Sequence, residues 1–542
     1  MARSDEPLIA HSSYSKWLAR LVLIALAVLC LTPLVALGVL ANASLRFDQA
    51  ALILTDPVVL RALRFTLIQA ALSTVLSIGL AIPVLMALRQ IQYAWVQQTV
   101  RLLFSLPLVL PQIVAALAIV AVFGQNGWFA ALTNELQVGW PSIYGLGGIL
   151  LAHVFFNMPL AVRIFDQTLQ SMPPEYDKMA AQLGLKGFHR FRLVEAVVIR
   201  NSVGGVASLI FLLCATSFTV VLMLGGGPRS TTLEVAIYQS LAFDFDLGRA
   251  LFLILLQIAV TGMIVLTLSL GPQSELGGSN FSISDQATSR FVVVDRPRLR
   301  FDSFALLIVA FLFVGLPFGA IIIDGLLANP LQVWAKPSVL AATATSVVIG
   351  VASAFLATLF ALVLAGAAST RTLAVVPTLA LVFPPIVLSA GWLLTIRQFV
   401  DPFAFAPALV IVINAAMALP FVIRIIEQAL KTHRVRHGPL EAQLGINGWS
   451  RWRLSVLPAL KLPFLTGFAF AFALSLGDFG VVALFGSDRL QTLPYLIYSN
   501  FGSYRSQDAI ALALLLTSLV FSAIGLAELF ARYDRSERAA PL

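Results

Sequence analysis

The sequence has few charged residues and few of the side chains that most often carry out chemistry. Only 11% of its 542 residues are charged, whereas soluble domains average about 25%. Its two cysteines and five histidines show no metal-ligand spacing, and it contains no Gly-x-x-x-x-Gly-Lys-Ser/Thr phosphate loop. The low charge excludes an ordinary soluble domain, and nothing supports a metal site, a disulfide scaffold or an ATPase.

Apolar residues dominate the chain instead. They make up 59% of it, in repeated runs of about 20 residues that can each cross a bilayer as a helix. We therefore predict an all-α polytopic membrane protein with about 12 transmembrane helices. The predicted spans are 18–40, 64–87, 102–123, 144–165, 200–224, 248–270, 303–326, 339–366, 372–396, 404–426, 462–485 and 508–531.

The first apolar run has two interpretations, a signal peptide or a first span. It follows Lys16 and Arg20 and precedes Ala41-Asn-Ala43, which is typical of a cleavage site. Its length of about 23 residues exceeds the roughly 7–15 of a signal sequence, so we interpret it as a span. Cys30 in this run and Cys214 in the fifth are expected to be buried thiols.

The basic residues indicate an orientation. A net charge of +9 can suggest nucleic-acid binding, but the Lys and Arg residues lie in short loops between apolar runs. Most of them fall on one side of the membrane when the N-terminus is placed in the cytoplasm, as the positive-inside rule requires. We predict a multi-pass membrane protein with both termini in the cytoplasm and no nucleic-acid partner.

One polar loop occurs twice. The chain contains Ala181-Gln-Leu-Gly-Leu-Lys-Gly-Phe-His-Arg-Phe-Arg-Leu193 and repeats it as Ala442-Gln-Leu-Gly-Ile-Asn-Gly-Trp-Ser-Arg-Trp-Arg-Leu454, with eight of thirteen positions identical at an offset of 261. Each half contains six predicted spans, so the second half begins on the same side of the membrane as the first. The halves are therefore parallel repeats, and both copies of the loop face the cytoplasm. The expected ranges are 1–271 for the first transmembrane half (core about 58–270, loop 174–197), 272–302 for a cytoplasmic linker, and 303–542 for the second half (core about 338–531, loop 435–458).

We call the two loops the first knuckle (174–197) and the second knuckle (435–458), since each should fold as helix, Gly turn, helix. Pro174 and Pro439 suit the first position of a helix, and Gly184 and Gly445 suit its end. Two equivalent knuckles suit a twofold-symmetric partner, although the positive-inside rule alone could explain the arginines. The residues expected to couple to that partner are Ala180, Ala181, Gly184, Gly187, Arg190 and Arg192, and Glu441, Ala442, Gly445, Gly448, Arg451 and Arg453.

These loops resemble the Glu-Ala-Ala loop of binding-protein-dependent ABC importer permeases. Lys178 and Pro439 stand where that pattern has Glu, and Glu441 stands at its second Ala. The C-terminal third is similar, more specifically, to the fused permease of bacterial thiamine importers. The matching segments are Leu474-Ser-Leu-Gly-Asp-Phe-Gly-Val-Val-Ala-Leu-Phe-Gly486, Thr492-Leu-Pro494 and Gly502-Ser-Tyr-Arg-Ser-Gln-Asp508.

The resemblance implies the type I ABC importer permease fold, made of two parallel six-helix repeats, and a location in the bacterial inner membrane. It implies a cytoplasmic ATPase homodimer that binds ATP and Mg²⁺, a periplasmic thiamine-binding protein, and thiamine or its phosphate esters as substrate. The chain itself is expected to bind no cofactor or metal and to catalyse no reaction. Alternatives are a fused ferric-iron permease, which shares the duplicated loop, and a 12-span secondary transporter, which would need acids mid-membrane that are scarce here.

Asp478 is the strongest candidate for a residue on the substrate path, because ionisable groups inside spans are costly. Its counterpart in the first half is Ser217, and Phe479 and Phe218 could offer ring faces to the thiazolium cation. Capping of a helix weakened by glycine is the equally weighted alternative for Asp478. Acidic residues in the predicted outer loops could receive basic patches of a binding protein or simply be solvated: Glu234, Asp244, Asp246, Asp488 and Asp508.

Overall fold

The computed structural model describes residues 13–44, 55–91, 93–135, 139–185, 187–270, 301–367, 382–487 and 490–539. Within these ranges eleven helices are long and apolar enough to cross a membrane, which confirms the all-α polytopic class. Nearly all of the predicted linker, and Asp488, lie outside the described residues.

The helices of the first half of the sequence are α1 (Ser13–Ser44), α2 (Pro57–Gln90), α3 (Ala94–Ser105), α4 (Gln112–Phe123), α5 (Trp128–Glu135), α6 (Leu146–Gln170), α7 (Pro174–Gln182), α8 (Gly187–Arg190), α9 (Ala196–Ala215), α10 (Thr219–Leu224), α11 (Leu233–Ala242) and α12 (Leu247–Leu270). Those of the second half are α13 (Phe301–Leu327), α14 (Pro330–Trp334), α15 (Pro337–Ala367), α16 (Pro385–Ile396), α17 (Ala406–Gln443), α18 (Gly448–Arg451), α19 (Leu457–Gly477), α20 (Val482–Phe485), α21 (Leu493–Gly502) and α22 (Ser506–Ala539).

Several predicted spans are not single helices. Pro107 and Pro111 divide span 102–123 into α3, a short 3₁₀ turn and α4, because proline cannot donate the helical hydrogen bond. Spans 200–224 and 462–485 were predicted as continuous helices. This was wrong, since each helix is broken near the C-terminal end of the span. Span 372–396 is described only from 382 onward, where α16 forms its second part.

The chain divides into two compact units that cross the boundary between the sequence halves. The first unit comprises 57–235 and 260–327, and the second comprises 1–56, 236–259 and 328–542. Within the first unit, α13 packs against α2 and α4. Within the second, α1 packs against α15 and α16. The first helix of each sequence half therefore packs in the unit that contains most helices of the other half.

Pro33 creates the point where α1 docks. Proline has no N–H, so the carbonyl of Leu29, four residues earlier, loses its helical partner. The indole nitrogen of Trp392 donates a hydrogen bond to that carbonyl oxygen at 2.9 Å. The neighbouring Gly391 leaves room for the proline ring, because a Cβ there would lie 2.5 Å from Pro33 Cβ. Such compensation is needed where water is absent.

Equivalent hydrogen bonds support duplication of the six-span unit. The N–H of Leu233, at the start of α11, donates to the Thr66 hydroxyl at 3.0 Å. The N–H of Leu493, at the start of α21, donates to the Ser346 hydroxyl at 2.8 Å. In both cases a buried hydroxyl of a long helix satisfies an N–H that the short helix cannot pair internally.

Candidate coupling knuckles and helix breaks

Both knuckles turn through the same glycine-centred motif. In the first, Leu185 N–H bonds Ala180 carbonyl at 2.9 Å and Gly184 N–H bonds Ala181 carbonyl at 3.1 Å. Equivalent bonds, Ile446 to Glu441 at 3.0 Å and Gly445 to Ala442 at 3.3 Å, close the second. Gly184 and Gly445 have φ of 64° and 65°, a left-handed conformation that glycine adopts at little cost. The predicted glycine turn is confirmed in both.

The knuckles differ in what precedes this turn. Pro174 opens α7 as predicted, with Glu175 and Asp177 in the first turn, where carboxylates are favourable. Pro439 does not open a helix, so that prediction was wrong. It lies inside α17, a single helix of 38 residues. The first knuckle has two consecutive prolines, whereas the second has one, preceded by residues that continue the helix.

After the turn, each knuckle returns to the bundle through a π-helical turn. These turns are Phe191–Glu195 and Trp452–Val456, which correspond at the offset of 261. Each follows a four-residue helix, α8 or α18, and leads directly into a long helix, α9 or α19. Single π-helical turns are uncommon and often mark functional positions. Their recurrence makes the whole loop geometry, not only its sequence, a repeated feature.

Arg190 fastens the first knuckle through a network that reaches other helices. Its guanidinium pairs with Asp177 at 2.7 Å and with Glu195 at 3.5 Å. Glu195 also lies 3.7 Å from Arg89 at the end of α2. Arg89 in turn lies 3.8 Å from Asp166 of α6. The first knuckle is thus ionically joined to two helices of its own unit.

Arg451 occupies the equivalent position but has a local partner. Its Nε donates to Glu441 Oε2 at 2.6 Å, and the Ser455 hydroxyl donates to the other carboxylate oxygen. The ring nitrogen Nε2 of His433 lies 3.0 Å from the Ser455 oxygen. Glu441 is only 5% exposed, so this carboxylate is held inside the knuckle. The second knuckle is therefore closed on itself.

The predicted coupling residues fall into buried and exposed sets. Ala180 and Glu441, which correspond to each other, are buried, and Arg190 and Arg451 are half-buried in ion pairs. The exposed side chains are Ala181, Arg192, Ala442 and Arg453, with Gly184, Gly445 and Gly448 exposed at the turns. Nothing is described of the surroundings of Gly187 beyond its place at the start of α8.

Exposed apolar side chains on the knuckles were missed from the sequence. Leu183 and Leu444 correspond and are 71% and 63% exposed, and Met179 and Leu440 form a second corresponding exposed pair. Trp449 is also exposed and stacks on Trp452. Their recurrence at the offset of 261 was the signal that could have identified them. Clustered exposed apolar groups are typical of protein interaction sites.

The two broken spans contain the predicted substrate-path residues. In the first unit α9 ends at Ala215, the chain leaves the helix through Thr216 to Phe218, and α10 begins at Thr219. Ser217 and Phe218 are both buried at this break. The amide of Asn157 donates to Cys214 Sγ at 3.2 Å, beside the break. This confirms that Cys214 is a buried thiol, and its contact with Asn157 is a hydrogen bond between α6 and α9.

The second unit contains the equivalent break. α19 ends at Gly477 and Asp478 is extended, with Phe479 buried. The Asp478 carboxylate accepts a hydrogen bond from Val481 N–H at 3.1 Å, so the contact expected of a helix-capping residue is present. The Phe479 ring lies 5.0 Å from that of Tyr498. Irregular backbone in a spanning segment occurs where protein surrounds it or where it lines a cavity.

Comparisons with known proteins agree with this architecture. Residues 366–533 match the family described as binding-protein-dependent transport system inner membrane component. The thiamine transport system permease protein of Brucella abortus (strain 2308) is 44% identical over 491 residues, which cover 89% of each chain. The chain belongs to the family of thiamine transport system permeases.

Other members of the family are similar over the same extent. The Escherichia coli (strain K12) permease is 38% identical over 478 residues, covering 86% of this chain and 88% of the relative. The Haemophilus influenzae permease is 37% identical over 491 residues, covering 87% and 89%. This permease is accordingly a multi-pass inner-membrane subunit of a binding-protein-dependent transport system.

Proposed function

We propose that this chain is the permease of an ATP-driven importer for thiamine and its phosphate esters. The ATPase is a separate cytoplasmic homodimer that binds ATP and Mg²⁺, and it docks on the two knuckles. The substrate arrives on a periplasmic thiamine-binding protein. In this proposal the knuckles and both termini face the cytoplasm, as the distribution of basic residues favours.

The repeated knuckle geometry is the observation that best supports this proposal. Two loops with the same glycine turn, the same π-helical turn and corresponding exposed leucines suit a partner with two identical docking sites. The names of the relatives support thiamine as the substrate. Movement of the knuckles by the ATPase would switch the permease between inward-open and outward-open states, as alternating access requires.

The helix breaks are proposed to lie on the substrate path. Discontinuous helices at corresponding positions of two repeats are a common way to build a transport site. Phe218 and Phe479 offer aromatic surface, and Asp478 adds a carboxylate that Ser217 does not provide in the first half. A carboxylate in one half only would attract a fixed organic cation such as a thiazolium.

The test is reconstitution of the chain with its ATPase in proteoliposomes. We expect ATP hydrolysis and uptake to rise when thiamine-loaded binding protein is added, and neither to respond to ferric iron. Uptake in vesicles that lack nucleotide would contradict an ATP-driven mechanism and favour a secondary transporter. Stimulation by ferric iron instead of thiamine would contradict the substrate assignment while leaving the ATPase coupling intact.

Asp478→Asn tests the carboxylate separately. Because the amide oxygen can still accept from Val481 N–H, the turn should be retained. We expect normal assembly with the ATPase and reduced uptake of thiamine. Unchanged affinity and rate would show that Asp478 acts only as the cap.

A further inference from the structure

Two loops of the second unit each present a bulky aromatic residue in an unfavourable conformation. Phe245 lies between α11 and α12, and Tyr504 lies between α21 and α22. Each is the second residue before the helix that follows it. Their φ angles are 53° and 60°, and their side chains are 77% and 97% exposed. The same feature thus occurs at equivalent points of both repeats.

Backbone hydrogen bonds close both turns, from Asp246 N–H to Ser240 carbonyl and from Arg505 N–H to Asn500 carbonyl, each at 2.9 Å. These bonds explain the left-handed backbone but not the choice of a bulky aromatic residue there. Among the described residues, the only other non-glycine residue with positive φ is Asn329, and asparagine tolerates this conformation. A bulky side chain there is a true outlier, and glycine would make the same turn with less strain. Because both rings are exposed, burial within the chain does not compensate for the strain. The turns therefore do not require aromatic side chains, and residues held in strained backbone often lie at functional positions.

Corresponding ion pairs of reversed polarity lie beside both loops. Arg249, near the start of α12, pairs with Asp56 at 3.2 Å. Asp508, near the start of α22, pairs with Lys336 at 2.8 Å. Asp56 and Lys336 are the residues immediately before Pro57 and Pro337, so they correspond in the two repeats. Each ion pair thus joins the start of the helix after an aromatic tip to the residue that precedes a long helix.

The charges around the two tips have opposite sign. Phe245 is flanked by Asp244 and Asp246, whose side chains are 53% and 46% exposed, and Arg249 also faces Asp56. Next to Tyr504 lies Arg505, which is exposed. Three acids share one arginine at the first tip, whereas the second tip has a balanced pair plus an extra cation. Glu234 takes no part, since it is buried.

The topology predicted from the sequence places both tips in outer loops, on the side opposite the knuckles. α19 leads away from the second knuckle for 21 residues, about 31 Å at 1.5 Å per residue, before α20 and α21 reach the loop of Tyr504. If the ATPase holds the knuckle, the tips face the opposite side of the membrane. That is the side on which a binding protein must deliver substrate, and the family depends on such a protein.

We propose that Phe245 and Tyr504 are two anchoring contacts for the substrate-binding protein, and that the opposite charges beside them set its orientation. This proposal rests on the proposed function. Two exposed aromatic residues at corresponding positions can serve as paired contacts, and aromatic anchors often carry much of the energy of an interface. The acidic tip would meet a basic patch on the binding protein, and the basic tip would meet an acidic patch.

The test replaces both aromatics by glycine, Phe245→Gly with Tyr504→Gly, in the complete ATPase complex held in lipid nanodiscs. Affinity for purified thiamine-loaded binding protein is measured, together with melting temperature and basal ATP hydrolysis. We expect the affinity to fall at least about tenfold, since anchors of this kind commonly contribute that much. The melting temperature should stay equal or rise, because glycine relieves the backbone strain, and basal hydrolysis should not change.

Phe399→Ala is the matched control. Phe399 is 80% exposed in the same unit but has ordinary backbone geometry, so its loss should not affect affinity. Unchanged affinity in the double glycine variant would overturn the proposal. A lower melting temperature with unchanged affinity would instead assign the rings to anchoring in lipid headgroups, which also overturns it.

The charge assignment has its own measurement. Asp244→Lys with Asp246→Lys should slow association with the binding protein and reduce the dependence of its rate on ionic strength. An association rate that does not change would contradict the orientation by charge. These binding measurements do not require transport. If docking depends on the tips but thiamine is not carried, only the substrate assignment fails.

Discussion

The two knuckles share a backbone but not the interactions that hold it. Glycine turn, π-helical turn and arginine recur at the offset of 261. Arg190 forms ion pairs with Asp177 and Glu195, and this network extends to other helices. Arg451 instead forms an ion pair with the buried Glu441 of its own knuckle. The two loops therefore share a shape but differ in how they are attached to the rest of the protein. The first knuckle is joined to its unit by charges, and the second by the continuous helix α17.

Among the variants of the two knuckles, the largest loss of stability should follow removal of the Arg451 side chain. Arg451→Ala leaves the Glu441 carboxylate 5% exposed with Ser455 as its hydrogen-bond donor. We expect a loss of about 2–3 kcal/mol in the free energy of unfolding, because a buried charge loses its partner. Melting of the purified complex measures it. The control Arg453→Ala removes an exposed arginine two residues away and should cost less than about 0.5 kcal/mol. Equal losses in the two variants would contradict the internal closure.

Alanine at the turn glycines should have an intermediate effect, equal in the two knuckles. Gly184→Ala and Gly445→Ala each force a side chain into left-handed backbone, at a cost of about 1 kcal/mol. The control Gly204→Ala lies within α9 with open space around it, and alanine there should stabilise the helix. Thermal melting compares the three variants. Unequal losses of stability in Gly184→Ala and Gly445→Ala would show that the ion pairs and helices joined to each knuckle, and not its backbone conformation, determine the stability of the turn.

A smaller loss is expected in the first knuckle from Asp177→Asn. Arg190 keeps Glu195, and both partners of the broken pair remain partly exposed, so we expect about 0.5–1 kcal/mol. Salt sharpens the comparison with the second knuckle. Raising the ionic strength to 1 M should diminish this loss but hardly alter that of Arg451→Ala, whose carboxylate partner is buried. Equal salt sensitivity would argue against the two modes of attachment.

The smallest effect on stability should come from the exposed leucines. Leu183→Ser and Leu444→Ser remove apolar surface that is 71% and 63% exposed, so each should change the free energy of unfolding by less than about 0.5 kcal/mol. If these side chains contact the ATPase, assembly with it should nevertheless weaken in both variants. Co-purification of the two proteins measures this. Full assembly of the double variant would place the ATPase contact elsewhere on the knuckles.

Local chemistry made part of the knuckle predictable. Pro173-Pro174 and Gly184 specify a helix start and end through their own backbone preferences, and the structure follows them. Pro439 misled the same reasoning because a proline preceded by helix-forming residues can be carried inside a helix. The ion pairs escaped prediction because Arg89 and Glu195 are about a hundred residues apart. Only the folded bundle brings them within 4 Å.

The helix breaks were missed for a different reason. Hydropathy averages over a window of residues and registers Thr216 to Phe218 as part of an apolar run, although the backbone leaves the helix there. Asp478 was singled out by its charge, yet the extended backbone at that residue was not foreseen. The membership of α1 in the second unit was equally hidden, because it depends on the fit of Pro33 against Gly391.

That fit also has a consequence for the order in which the protein is made. The Leu29 carbonyl and the Trp392 indole that satisfies it are 363 residues apart in the chain. At bacterial synthesis rates, roughly 20–70 seconds separate their emergence from the ribosome. During this interval α1 must remain in the bilayer with an unpaired carbonyl beside its proline. The first helix to be inserted is therefore among the last to find its permanent place.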